Sequence, residues 1–103
     1  MIKAVFYKEN GGLSGFSLSG HAGYGTQGND VVCAAVSSAS ELTCNTVTDF
    51  FGDEAQVGVE ENTLTLRLKN GSCEYSRKLI ESFKVHLELI NEEYPDSIRI
   101  VIK

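Results

Sequence analysis

The stretch Ile2-Lys3-Ala4-Val5-Phe6-Tyr7-Lys8-Glu9-Asn10-Gly11-Gly12-Leu13-Ser14-Gly15-Phe16-Ser17-Leu18-Ser19-Gly20 sets the architecture. Ile2, Ala4 and Phe6 alternate, and so do Phe16, Leu18 and Gly20. Residues two apart in a strand share a face, so each run turns one row toward a core. Asn10-Gly11 lies between the runs. Both residues tolerate the left-handed backbone that a tight two-residue hairpin demands. Strands are expected over about 2–9 and 13–20.

Downstream the period changes. Residues 31–50 contain no Gly or Pro, and Val32, Val36, Ala39, Thr43, Val47 and Phe50 recur at helical spacing before Gly52. Asn29 or Asp30 is the natural N-cap. Val57 and Val59, then Leu64, Leu66 and Leu68, alternate around Glu60-Glu61-Asn62 and predict a second hairpin. Asn70-Gly71-Ser72 breaks that pattern. Leu79, Phe83, Leu87 and Ile90 stripe a second helix over about 73–93, ended by Tyr94-Pro95-Asp96. Ile98, Ile100 and Ile102 give a last strand. The order is ββαββαβ, an α+β fold with a single mixed or antiparallel sheet and two helices. Val85 and Leu89 fall on the far side of the second helix. They either extend into a partner surface or are two scattered exposed apolar residues.

The chain has 103 residues, which predicts one domain over 1–103. Hydrophobic residues at 42% and charged residues at 22% match ordinary globular domains and exclude disorder, coiled coil and collagen. Short apolar runs and a single Pro exclude a membrane span and a Pro-rich linker. The interrupted start, Met1 to Lys8, is no signal h-region, so a cytoplasmic location is expected. Net charge is −5, from 9 basic against 14 acidic residues, with no basic stripe. Direct nucleic-acid binding is therefore not expected. Three cysteines without a CxxC, Cys33, Cys44 and Cys73, argue against a disulfide framework. Cys33 and Cys44 would lie about 16 Å apart along one helix. His21, Cys33, Cys44, Cys73 and His86 show no paired zinc-ligand spacing, so no metal is expected. Cys44 and Cys73 read as small buried hydrophobes and His86 as a boundary side chain.

Chemistry concentrates in Gly20-His21-Ala22-Gly23-Tyr24-Gly25-Thr26-Gln27-Gly28-Asn29-Asp30-Val31-Val32-Cys33. A strand ends at His21, a glycine loop follows, and Cys33 falls in the first turn of a helix. The thiolate is the reactive form of cysteine. The positive end of a helix and a nearby imidazolium both favour it. A loop that folds back would bring His21 to Cys33, giving a nucleophile and a general acid/base for acyl transfer. First-turn N–H groups without helical partners offer oxyanion donors. Asp30 fits the N-cap and could also orient His21. Ser37 shares the face of Cys33 and either contacts substrate or bonds back to a carbonyl.

Gly23-Tyr24-Gly25-Thr26-Gln27-Gly28 also matches G-x-G-x-x-G, the dinucleotide-binding fingerprint. Its preceding strand belongs to a hairpin rather than a parallel βαβ unit, which weighs against that use. A mobile lid over a bound peptide is the better use of three glycines.

Gly20-His21-Ala22-Gly23-Tyr24 together with Asp30-Val31-Val32-Cys33-Ala34-Ala35-Val36-Ser37 resembles the ribosomal-processing cysteine protease family Prp. The resemblance runs over essentially the whole chain. It implies a cytoplasmic cysteine endopeptidase, usually a homodimer, that needs no metal or organic cofactor. It implies Cys33 as nucleophile and His21 as general acid/base. The implied substrate is a large-subunit ribosomal protein, the twenty-seventh of that subunit, which loses a short N-terminal extension during ribosome maturation. Cleavage after a pair of phenylalanines implies an apolar cleft, with Tyr24 one candidate wall. The reading from another class is a non-catalytic ribosome-assembly protein that grips a peptide without cutting it.

Overall fold

The computed structural model describes residues 1–23, 30–69 and 73–103. Strand β1 spans Ile2–Glu9 and β2 spans Gly12–Ser19. They close on a two-residue turn in which Asn10 and Gly11 both have positive φ, 53° and 81°, with Glu9 paired to Gly12. The left-handed turn matches the twist of the flanking strands. A bulge near Tyr7 and Lys8 shifts the register.

Helix α1 covers Val31–Asn45 and runs on into a π-helical turn, Thr46–Phe50. Strands β3, Ala55–Glu60, and β4, Thr63–Leu68, form the second hairpin, turning through Glu61 and Asn62. Helix α2, Glu74–Glu93, leads to β5, Ile98–Ile102. The sheet order is β3-β4-β2-β1-β5. Only the β1–β5 pairing is parallel, so the sheet is mixed and the fold is α+β.

The core rows follow the alternation. Phe6 pairs with Phe16, and Phe16 with Leu66, so three adjacent strands present one apolar row. Phe83 of α2 lies against it, with ring centroids 6.0 Å from Phe6 and 4.8 Å from Phe16. Val32, Val36, Ile80 and Leu87 join the same cluster from the two helices. Val57 and Val59 of β3 share rows with Leu66 and Leu64 yet stay exposed, Val59 at 77%. Helical cover thus ends before the edge strand.

Three local expectations change. Phe50 leaves the α1 stripe and is 83% exposed. The N–H of Phe51 bonds the carbonyl of Thr46 at 2.9 Å, five residues back, and that wider turn rotates Phe50 off the core. Cys73 is the half-buried N-cap of α2 rather than a core residue, and its N–H donates to Asp53 at 2.9 Å. His86 is exposed rather than a boundary side chain. Val85 and Leu89 are exposed, as one of their two readings had them. Among the described residues, no helix is long and apolar enough to cross a membrane.

Candidate active site

Asp30 caps α1. One carboxylate oxygen accepts from the N–H groups of Val32 at 3.0 Å and Cys33 at 3.1 Å. The other accepts from the N–H of Gly23 at 3.0 Å. A residue suited to the N-cap by its short acceptor side chain therefore also fixes the backbone two residues after His21. The N–H of Ala22 donates to the Cys33 sulfur at 3.3 Å. Two bonds thus hold the segment that follows β2 against the N-cap and first turn of α1.

Two of the first-turn amides that the sequence suggested for an oxyanion are engaged by the cap. Val32 and Cys33 give their N–H groups to the Asp30 side chain, and Ala34 gives its N–H to the Asp30 carbonyl at 3.1 Å. The cap thus satisfies two of the donors that a helix end otherwise leaves open.

Cys33 and His21 open onto one cleft of about 370 Å³. Cys33 is half-buried and His21 exposed. Ile2 and Leu18 form its floor on the β1–β2 side, and Val36 lines it from α1. Val59 and Leu64 close it from the second hairpin. The exposed Val59 of β3 is therefore part of a wall of this cleft. Ser37 lines it, as do Ser40, Glu41 and Asn62, which the sequence reading passed over. Ser40 and Glu41 lie two turns beyond Cys33, so helical spacing alone would have flagged them. Asn62 comes from a distant hairpin and carried no local signal.

Burial pushes the Cys44 thiol above its ordinary value, and the Glu41 charge adds to that rise. Among the described residues, no group of three His, Cys, Asp or Glu side chains is placed to hold a metal ion. The glycine fingerprint and Tyr24 fall mainly in 24–29, outside the described residues. The strand before them, β2, is antiparallel to both neighbours, unlike the first strand of a dinucleotide-binding βαβ unit.

The family model for cysteine protease Prp matches residues 1–99. The chain belongs to this family. It is a cysteine protease. A Bacillus subtilis relative named ribosomal processing cysteine protease Prp is 28% identical, over 97% of this chain and 96% of the relative. A Staphylococcus aureus relative of the same name is 24% identical, over 96% and 95%. The Staphylococcus aureus protease Prp solved with a covalently linked product peptide superposes with a TM-score of 0.92 at 23% identity, each chain fully covered. A Streptococcus mutans structure reaches a TM-score of 0.79 at 29% identity, covering 99% of this chain and 93% of that one. The Prp fold is thus shared along the whole sheet and both helices.

Proposed function

We propose that this Prp-family chain is a cytoplasmic endopeptidase, one domain over 1–103 and homodimeric, working through a Cys33–His21 dyad. Its substrate is the N-terminal extension of a large-subunit ribosomal protein, the twenty-seventh of that subunit. The observation that carries the dyad is that Cys33 and His21 open onto the same apolar cleft, with the amide beside His21 bonded to the sulfur. The relatives' name, ribosomal processing protease, supports the substrate, as does the Staphylococcus aureus protein's structure with a substrate peptide.

In this mechanism His21 takes the Cys33 proton and the sulfur attacks the scissile carbonyl. His21 then protonates the leaving amine, and water hydrolyses the thioester. Asp30 acts through position: it fixes α1 and Gly23 and so the approach of His21 to Cys33. Ser37, one turn along α1 on the cleft wall, contacts the bound peptide. Apolar walls suit the phenylalanine pair expected before the cut.

The test is cleavage of a peptide spanning the extension by wild type, Cys33→Ala and His21→Ala. The proposal predicts turnover by wild type only. Cleavage by Cys33→Ala ends this mechanism. An uncut partner held in stoichiometric complex, seen by intact mass, favours the binding-protein reading instead.

A further inference from the structure

Glu41 is the one Asp, Glu, Lys or Arg among the described residues that line the cleft. Its neighbours there are apolar or uncharged apart from His21. It is exposed, and among the described residues it makes no ion pair. Helix α1 contains no Lys or Arg, so no cation on its own element offsets it. A carboxylate at the rim of an apolar groove attracts a cation most strongly once a bound chain displaces water.

Position gives the register. Glu41 lies eight residues beyond Cys33 on the same helix. That is about 12 Å along the axis. An extended peptide advances about 3.3 Å per residue, so Glu41 reaches a side chain about three to four residues from the bond attacked by Cys33.

We infer that Glu41 selects peptides carrying a lysine or arginine about three to four residues from the cleaved bond. The inference rests on the peptidase reading and adds a charge specificity to it. Glu41 touches substrate only away from the reacting atoms, so it sets preference rather than chemistry.

The experiment uses synthetic peptides with a Phe-Phe pair at the junction. Lys, Gln or Glu is placed in turn at each position two to five residues from the cut, on both sides. Wild type, Glu41→Gln and Glu41→Lys are compared by kcat/KM. Wild type should favour Lys over Gln at one position by about three- to fivefold, in the range of a partly exposed ion pair. The preference should shrink in high salt. Glu41→Gln should lose it, and Glu41→Lys should favour Glu there. A lysine preference that survives Glu41→Lys, or none at any position, overturns the inference. If wild type cuts no peptide, the peptidase reading fails. The same series is then read as binding to Cys33→Ala with and without Glu41→Lys. A charge preference that inverts upholds the inference, and equal affinities overturn it.

Discussion

The Asp30 carboxylate ties the start of α1 to the backbone after His21 by dividing its two oxygens between the helix and Gly23. Asn equals Asp as an N-cap but has one acceptor oxygen, so Asp30→Asn separates the two contacts. Asp30→Ala should cost about 1 kcal/mol in denaturant unfolding, and Asp30→Asn much less. Both should cut peptide poorly, because neither keeps the helix and Gly23 tied together. Full activity in Asp30→Asn would show that the Gly23 bond is irrelevant. The cap was legible because its preference is local. The bond to Gly23 and the Ala22–sulfur bond were not, since no pattern in the chain encodes how a loop returns. Cys44 gives a pH prediction. Its thiol is raised in the folded protein by burial and by Glu41, so the folded state holds that proton more tightly than the unfolded chain does. The resulting stability is complete below the unfolded value and is lost as pH rises through the folded one. Unfolding free energy should therefore fall less steeply above about pH 9 in Cys44→Ala than in wild type. Parallel slopes would contradict the burial argument.

The first hairpin was readable as an element because Asn10-Gly11 demands two left-handed residues and the chain supplies them. Gly20, with φ of 87°, makes the same demand one residue before His21. An added Cβ at Gly11 meets nothing within 4 Å, whereas one at Gly20 falls 2.7 Å from the Met1 carbonyl oxygen. Gly11→Ala should cost about 1–2 kcal/mol, the left-handed penalty alone. Gly20→Ala should cost more and should also lower peptide turnover, because relief of the clash moves the backbone that carries His21. Equal stability and turnover in the two variants would contradict this. The helical run ends where periodicity places it, and only Phe50 departs from the buried stripe, for a physical reason. Thr46 and Thr48 turn their hydroxyls back to the carbonyls of Leu42 and Cys44, at 2.7 and 3.1 Å. Such bonds compete with the helical ladder and accompany the widened turn, which a stripe of apolar residues does not reveal.

Across the whole molecule, Phe6, Phe16 and Phe83 bind the sheet to α2. Phe83→Ala should lower stability by about 3–5 kcal/mol, measured by denaturant unfolding, as expected for a truncated core aromatic. A loss below 1 kcal/mol would place the core elsewhere. The element order and the apolar rows were legible, since periodicity reports which side of an element is buried. The order of strands was not. Placing β4 beside β2, and β5 parallel to β1, requires contacts far apart in the chain. For the same reason the sequence marked His21 and Cys33 but not Val59, Asn62 and Leu64, the wall that makes their meeting place a cleft. Alkylation rates of the three thiols in native wild type and His21→Ala test the dyad most directly. The account predicts a fast reaction confined to Cys33 in wild type, slowed in His21→Ala, with Cys44 last to react. Equally slow reaction at all three thiols, unchanged by His21→Ala, would contradict it.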